Sequence, residues 1–206
     1  VASRQPKSVV AADLGFAVGP RINAAGRLED MSIGIECLLC ENLAAARAQD
    51  SRLDQLNQER RVIEQDMQAE AMQILARLPL NESADPPMAM TLYQSGWHQG
   101  VIGILASRIK DRLHRPTIVF ADGGAGELKG SARSIAGIHI RDVLDAVATR
   151  HPGLITRFGG HAMAAGLTLQ LEAYEDFAAA FAQEVARSAE DVHLQAVLVS
   201  DGELSP

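Results

Sequence analysis

A stretch of 38 residues without glycine or proline, Glu41–Leu78, constrains the fold of this chain more than any other feature. Its apolar residues recur at spacings of three and four, the period of a helix with one buried face. They are Leu53, Leu56, Ile63, Met67, Ala71, Ile74 and Leu78. At 1.5 Å per residue the helix is about 57 Å long, which exceeds what an ordinary domain needs. The stretch therefore predicts a coiled coil or a helix that bridges two domains.

The sequence after this helix alternates strand patterns with helical patterns. Leu80–Pro87 has the composition of a linker. The predicted strands are Met88–Tyr93, Thr117–Ala121, Glu127–Ser134, Gly166–Leu169 and Gln195–Val199, and the predicted helices are Val101–Leu113, Ile138–Thr149 and Tyr174–Ser188. This alternation predicts an α/β fold in which the long connecting helix precedes a layered domain with a mixed sheet.

The stretch Arg157–Leu169 combines two glycines, a histidine and a run of small side chains. Gly159 and Gly160 permit unusual backbone angles or the close approach of a ligand. His161 follows directly and sits at the rim of the predicted bend. Such a bend suits a phosphate group, whereas a tight loop with a core histidine is the structural alternative. The functional interpretation makes all three residues candidates for nucleic-acid binding.

A second candidate region is the predicted strand that carries Lys129, Ser131, Arg133 and Ser134. Alternate residues of a strand project to one face, so the first three share a face with no acidic residue among them. Three hydrogen-bond donors on one face suit a sugar–phosphate backbone. A solvated strand face without a ligand is the alternative.

Trp97 and His98 precede the predicted helix that starts near Gly100. The first N–H groups of a helix attract anions, and an aromatic ring at the mouth of a loop can stack on a base. Trp97 and His98 are therefore candidates for nucleic-acid binding. The alternative for Trp97, the only tryptophan in the chain, is packing in the core.

The segment Pro20–Leu28, with the sequence PRINAAGRL, places Arg21 and Arg27 on either side of Asn23. Glycine residues interrupt this part of the chain, and we expect a loop whose arginines share one face. Arginine is suited to a two-point grip on phosphate. A helix start with solvated arginines is the alternative.

The net charge of −7 is opposite to that expected of a nucleic-acid binder. The excess lies in the last part of the chain, because residues 170–206 contain eight acids and one arginine. Residues 88–169 contain nine Lys and Arg against five Asp and Glu, a local charge of +4. A basic segment beside an acidic tail still attracts a polyanion through its local field.

Cys37 and Cys40 are the only cysteines. A closed zinc site needs four ligands and no second pair is nearby, so the spacing predicts two buried structural thiols. We therefore expect a reduced, cytoplasmic protein. No apolar run reaches the roughly 20 residues of a membrane span, so we expect no membrane association. The chain has no initiator methionine and is expected to be part of a longer protein.

Four motifs resemble, in order, those of the RecJ family within the DHH phosphoesterases. They are PRINAAGRL, GWHQGVIGILASRI at Gly96–Ile109, GSARS at Gly130–Ser134 and GGHAMAAG at Gly159–Gly166. The resemblance implies the C-terminal part of a 5′–3′ single-stranded-DNA exonuclease that acts in DNA repair and recombination. It implies the end of a catalytic DHH domain at 1–40, a connector helix at 41–80, a DHH-associated nucleic-acid-binding domain at 88–190 and the start of another domain at 191–206.

The resemblance also implies roles for individual residues. Arg27 would clamp the scissile phosphate and Asn23 would position it, while Arg21 would contact the DNA nearby. The predicted strand and the glycine–histidine bend would form one groove for single-stranded DNA. The parent enzyme would use Mg²⁺ or Mn²⁺, but the family's Asp-His-His triplet does not occur in this chain. We therefore expect no metal here, and no nuclease activity from this part alone.

Two other functions fit the same patterns. A DHH-family oligoribonuclease or cyclic-dinucleotide phosphodiesterase shares the glycine–histidine bend but usually lacks so long a connector. A non-enzymatic scaffold is the other alternative, because an exposed apolar stripe on the helix of residues 41–78 would favour a dimer.

Overall fold

A computed structural model gives the fold and describes residues 6–77 and 87–189, together with Gly202. The chain divides into two compact units. The first unit combines Val1–Pro79 with Gly96–Leu105, and the second combines Leu80–Ser95 with Ala106–Pro206. Residues 96–105 thus belong to the first unit, although they lie inside the predicted domain 88–190. The predicted strand Gln195–Val199 and nearly all of the predicted linker lie outside the described residues.

The first unit is helical in its described part up to residue 77. A 3₁₀ turn at Pro6–Ser8 precedes α1 (Ala11–Asp13), a π-helical turn (Leu14–Val18), α2 (Gly19–Leu28), α3 (Ser32–Leu39) and α4 (Leu43–Arg77). Leu53 and Leu56 of α4 cluster with Ala24 and Ala25 of α2, and none of the four is more than 3% exposed. Because alanine is small, the two helices approach each other closely at this point.

The predicted loop at Pro20–Leu28 is wrong, because this segment forms α2. Pro20 lies in the first turn of the helix, where its missing N–H removes no helical hydrogen bond. Burial of Ala24 and Ala25 against α4 offsets the low helix propensity of Gly26. Tertiary packing therefore overrides the glycine signal in this segment.

The long helix is present as α4, and its apolar stripe is largely buried within the chain. Leu53, Leu56, Met67 and Ala71 are at most 4% exposed, and Ile63 and Ile74 are half-buried. The expectation that this stripe is exposed is therefore wrong, and the dimer that was inferred from its exposure stays a prediction.

Cys37 and Cys40 are free thiols of intermediate exposure, not the fully buried pair that the sequence predicts. Cys37 packs against the α2–α4 cluster. Burial, followed by the charges of Asp50 and Cys40, raises the pKa of the Cys37 thiol. A raised pKa disfavours the reactive thiolate, which fits a structural role.

The second unit contains a mixed five-stranded sheet, which confirms the predicted fold class. The elements after α4 are β1 (Met90–Tyr93), α5 (Ile102–Leu113), β2 (Thr117–Gly124), β3 (Glu127–Arg133), α6 (Ile140–Arg150), β4 (Arg157–Gly160), β5 (Ala164–Gln170) and α7 (Tyr174–Ser188). The strand order is β1-β2-β3-β5-β4. The β1–β2 pair is parallel, and the other three pairs of these five strands are antiparallel.

One face of this sheet forms the core of the second unit with α6 and α7. Phe120 of β2 meets Phe177 of α7 edge to face at 5.7 Å, and Phe177 stacks on Phe181 at 5.9 Å. Leu128 and Ala132 of β3 join the same cluster. The alternate residues of β3 therefore project from the opposite face, away from the helices α6 and α7.

Candidate nucleic-acid interface

The structure places Lys129, Ser131 and Arg133 together on the β3 face opposite the core. Burial alternates along β3, and these three are the partly exposed positions between buried neighbours. Arg133 Nη1 donates hydrogen bonds to the hydroxyl of Ser131 at 3.0 Å and to the carbonyl of Ala132 at 2.7 Å. The guanidinium is thus fixed beside the serine rather than extended into solvent.

Strand pairing extends this face across β5 and β4. Paired residues in an antiparallel sheet project to the same side, and the register generates three rows. The rows are Arg133–Ala164–His161, Ser131–Gly166–Gly159 and Lys129–Thr168–Arg157. We call these nine residues the strand face.

His161 lies at the tip of the β4–β5 hairpin, where its backbone N–H donates to the carbonyl of Ala164 at 2.8 Å. Its side chain is exposed and makes no hydrogen bond or ion pair with the described residues. The predicted bend at Gly159–Gly160 is a strand that continues into this tip. The alternative of a core histidine is therefore excluded, and the imidazole is available to a ligand.

The glycines of this region fall into two classes. A Cβ at Gly160 would meet the Ala164 carbonyl and Ala165, and a Cβ at Gly130 would lie 2.6 Å from Phe120 and from Leu167. These two glycines are required by the packing of the protein itself. Gly159 and Gly166 differ, because a Cβ would meet nothing within 4 Å at Gly159 and only one atom, at 3.9 Å, at Gly166.

Arg157 and Thr168 belong to the strand face but were not predicted as site residues. Arg157 is exposed and forms no side-chain hydrogen bond or ion pair with the described residues. Thr168 is 5% exposed and accepts a hydrogen bond from Lys129 Nζ at 3.2 Å. Both residues join this face because β3, β5 and β4 pair antiparallel. Recognition of β4 as a strand in the sequence would have revealed this pairing.

Glu127 is an acidic neighbour that the sequence interpretation overlooked. Its carboxylate lies 3.0 Å from Lys129 Nζ, and the two side chains are 32% and 30% exposed. Glu127 is two residues from Lys129 on the same strand, so it shares the strand face. The three predicted donors have no acid among them, but the face that they share carries this carboxylate at one end.

Ser134 was predicted to bind nucleic acid, but the structure buries it. It is 1% exposed, and its hydroxyl donates to the carbonyl of Ile138 at 2.7 Å. Its backbone N–H donates to the carbonyl of Met163 at 3.0 Å. Ser134 therefore ties the end of β3 to the hairpin and offers no group to a ligand.

A second group of predicted residues meets at Gly100 in the first unit. Arg27 Nη1 donates to the Gly100 carbonyl at 3.0 Å, and the Gly100 N–H donates to His98 Nδ1 at 3.0 Å. A Cβ at Gly100 would collide with the backbone carbonyl of Arg27. Asn23 is exposed on α2 one turn before Arg27, so both project from one side of that helix. The structure thus brings Asn23, Arg27 and His98 together.

Arg21 and Trp97 are engaged within the first unit. Arg21 Nε lies 2.7 Å from Asp54, and Arg21 Nη1 donates to the Ala17 carbonyl at 2.7 Å. Trp97 is 5% exposed, and its indole N–H donates to Glu70 of α4 at 2.6 Å. The proposal that Trp97 stacks on a base is wrong, because its ring is part of the core.

Within residues 6–77 and 87–189, no three His, Cys, Asp or Glu side chains lie close enough to hold a metal ion. His139 and Asp142 form the pair that their spacing suggests, at 3.2 Å, but they form no larger cluster at the start of α6. A search of the described helices found none with the length and apolar character required to cross a bilayer.

Comparison with known proteins provides independent evidence about the family of this chain. Residues 85–187 match the DHHA1 domain family. The single-stranded-DNA-specific exonuclease RecJ of Dickeya dadantii is 53% identical over 206 residues, which is 100% of this chain and 35% of that protein. The RecJ of Escherichia coli is 50% identical over 206 residues, 100% of this chain and 36% of that protein. The chain thus spans about a third of the length of these relatives.

Solved structures agree with the sequence matches. The crystal structure of RecJ in complex with Mn²⁺ from Thermus thermophilus superposes with a TM-score of 0.72 at 33% identity, covering 86% of this chain and 25% of that one. A structure of exonuclease RecJ bound to manganese gives a TM-score of 0.72 at 31% identity, covering 92% and 46%.

Proposed function

This chain belongs to the DHHA1 domain family, and we propose that it is the DNA-holding part of a RecJ-type 5′–3′ exonuclease that acts on single-stranded DNA in repair and recombination. Identity of 50–53% to RecJ proteins over the whole chain supports this proposal. Those relatives make the alternative of an oligoribonuclease or cyclic-dinucleotide phosphodiesterase less favoured.

The observation that carries the proposal is the strand face. Arg133, Lys129 and Arg157 supply three cations, and His161 supplies an exposed imidazole at the hairpin tip. Most protein–DNA hydrogen bonds go to phosphate and sugar, and they come from side chains of these types. A backbone contact of this kind is independent of base sequence, which fits an enzyme that degrades DNA from an end.

Gly159 and Gly166 support the same interpretation. Glycine weakens a strand, and it often marks the close approach of a ligand. Neither residue is required by the packing around it, because a Cβ would find open space at Gly159 and only an ordinary contact with one atom at Gly166. We infer that the two glycine positions of the middle row are kept free of side chains so that a nucleic-acid backbone can lie on the sheet beside Ser131.

We further propose that Arg27, with Asn23 and His98, acts on the phosphate next to the cleaved bond. The Gly100 N–H holds His98 through Nδ1, so the opposite ring nitrogen, Nε2, is left to donate to a phosphate oxygen. The Gly100 carbonyl holds Arg27 on the other side of the same residue. Arg27 retains further N–H groups for a charge-assisted hydrogen bond.

The parent enzyme would require Mg²⁺ or Mn²⁺, as the related RecJ structures with these ions suggest. The donor set of the described residues does not fit such an ion, because no three candidate ligands lie together. We therefore propose that this chain orients DNA and that a preceding DHH domain supplies the metal ligands. Free thiols at Cys37 and Cys40 support a cytoplasmic location.

We propose that residues 1–40 complete that DHH domain, that 41–80 connect it to the DHHA1 domain at 88–190, and that 191–206 begin a further domain. Large apolar side chains on the first helices support the first part, since Phe16, Leu38 and Leu39 are 87%, 67% and 75% exposed. An apolar patch of this kind marks a surface that other protein covers. We do not extend the proposal to a dimer through α4, because its stripe is buried.

The proposal predicts that the chain binds single-stranded DNA and that the strand face carries the affinity. Combined Arg133→Gln and His161→Gln changes should weaken binding of a labelled oligothymidylate by about tenfold or more, because two phosphate contacts are lost. Fluorescence anisotropy measures the affinity. Arg141→Gln on α6 is the matched control, since it removes the same charge from a side chain that is 51% exposed in the helical layer.

Unchanged affinity in the double variant, with circular dichroism showing a normal fold, would contradict the proposal and favour an interaction scaffold. A preference for short RNA or dinucleotides over DNA in competition would favour the oligoribonuclease alternative. Appreciable hydrolysis of DNA by this chain alone in Mn²⁺ would overturn the division of labour between the domains.

A further inference from the structure

The strand face contains a second cluster of donors at the end away from His161. Lys129 and Arg157 lie on either side of Thr168 across three neighbouring strands. Lys129 Nζ donates to the Thr168 hydroxyl at 3.2 Å, and Thr168 is 5% exposed. Arg157 is exposed and unengaged by the described residues. Two cations and a hydroxyl therefore share one row.

We propose that the row Lys129–Thr168–Arg157 is a second phosphate subsite, distinct from the row of Arg133 and His161, and that Glu127 limits its strength. The proposal rests on the proposed function of the strand face as a DNA-backbone site. It groups Lys129, Thr168 and Arg157 of that face into a subsite of their own, gives Thr168 a role, and adds a negative regulator of the subsite's affinity.

The distance between the two rows determines what the subsite binds. Lys129 and Arg133 are four residues apart on β3, which corresponds to about 13 Å along a strand. Adjacent phosphates of a nucleic-acid strand are closer than this, so the two rows bind phosphates of non-adjacent positions. The row of Ser131, Gly166 and Gly159 between them leaves room for the intervening sugar and base. The DNA therefore runs along the strands, from the hairpin tip towards Glu127.

Glu127 occupies the end of that path. Its carboxylate pairs with Lys129 at 3.0 Å, so a phosphate has to compete with it for the ammonium group. Both side chains are about one-third exposed, so solvent screens the pair and it is readily exchanged. A carboxylate at this position also repels a phosphate that would pass beyond the row. Glu127 thus weakens the subsite and terminates the anionic path.

The first test removes one cation from each row. Arg157→Gln should weaken binding of an oligothymidylate to the 206-residue chain by about five- to tenfold and reduce the slope of log affinity against log salt by about 0.7, the value for one phosphate on a single strand. Arg133→Gln should do the same. In the double variant the two losses of binding free energy should add, because independent subsites do not share a phosphate. Arg141→Gln controls for the loss of one positive charge.

The second test removes the acid. Glu127→Gln should strengthen binding several-fold at low salt, because Lys129 is released to the phosphate. When Lys129→Gln is already present, adding Glu127→Gln should give no gain in affinity. Glu175→Gln, on α7 in the helical layer, removes the same charge elsewhere and should produce a much smaller gain.

The outcomes separate the two proposals. If Arg133→Gln weakens binding while Arg157→Gln and Glu127→Gln have no effect, the second subsite is wrong and the proposed function stands. A double variant no weaker than either single one would show a single shared anion site and would also overturn the subsite. If the wild-type chain does not bind, or no variant changes its affinity, the proposed function itself fails.

Discussion

Tyr174 shows how one side chain links burial to pH. Its ring lies 5.6 Å from that of Phe120 and 5.8 Å from that of Tyr93. Burial is the main reason that the pKa of the Tyr174 phenol is raised, and a hydrogen bond with Thr91 opposes the rise. The neutral phenol is therefore favoured by the fold relative to the unfolded chain.

We predict that stability falls in alkaline solution partly because of Tyr174. A group with a raised folded pKa contributes its full stabilisation below its unfolded pKa, about 10 for tyrosine, and loses it as pH rises through the folded pKa. Tyr174→Phe should therefore make the fall in free energy of unfolding above about pH 10 shallower. Urea unfolding at a series of alkaline pH values measures this.

Parallel profiles for the wild-type and Tyr174→Phe chains would contradict the assignment. Tyr93→Phe is a useful comparison, because the hydrogen bond to Asp122, rather than burial, is the main cause of the raised pKa of Tyr93.

Individual residues also show which features local sequence predicts and which it does not. The shared side of Lys129, Ser131 and Arg133 followed from the alternation of one strand, which is a local property. The burial of Trp97 did not follow from local sequence, because its partner Glu70 lies 27 residues earlier, on α4. Glu127 was within reach of the same local argument, because it lies two residues before Lys129 on the same strand and so shares its face.

At the scale of elements, β3 and β5 provide two glycines with opposite requirements. Gly130 is enclosed by Phe120 and Leu167, whereas Gly166 is open above the strand face. We predict that Gly130→Ala destabilises the fold by about 1–3 kcal/mol through overpacking. Gly166→Ala should stabilise it by up to about 1 kcal/mol, because glycine costs entropy in a strand. Thermal unfolding measures both changes.

For Gly166→Ala we expect stability and DNA affinity to change in opposite directions. Although Gly166→Ala stabilises the strand, we expect weaker binding of single-stranded DNA, since a methyl group enters the space for the ligand backbone. If this variant gains stability and binds DNA as well as the wild type does, Gly166 is not kept as glycine for the ligand.

The elements differ in how well the sequence predicted them. The helix Tyr174–Ser188 was predicted with its observed bounds, because Phe177, Phe181 and Val185 recur at helical spacing. Strand β4 was missed because two of its four residues are glycine, and a strand at the edge of a sheet needs little intrinsic propensity when a partner such as β5 fixes it. Helix α2 was missed because its stability comes from contacts with α4.

At the scale of the molecule, the overall charge opposes the proposed ligand. The chain carries −7, and residues 190–206 include four acids and no Lys or Arg. We predict that truncation after Ala189, which changes the charge to −3, accelerates association with single-stranded DNA at low salt. Stopped-flow measurements give the rate. The difference should disappear at about 1 M salt, where the screening length is about 3 Å.

A truncated chain that associates more slowly, or one whose advantage persists at high salt, would show that these residues act through contacts rather than through their long-range field.

The assignment of Gly96–Leu105 to the first unit has a practical consequence for anyone who wishes to transplant the sheet into another protein. A gene fragment that starts at Met88 would include Trp97 but not Glu70, and Gly100 but not Arg27. The indole N–H of Trp97 would lose its acceptor, and the carbonyl of Gly100 would lose the guanidinium that donates to it. Since Gly96–Leu105 packs with the helices before it, an exchange of the sheet between relatives should succeed only when it begins before α2.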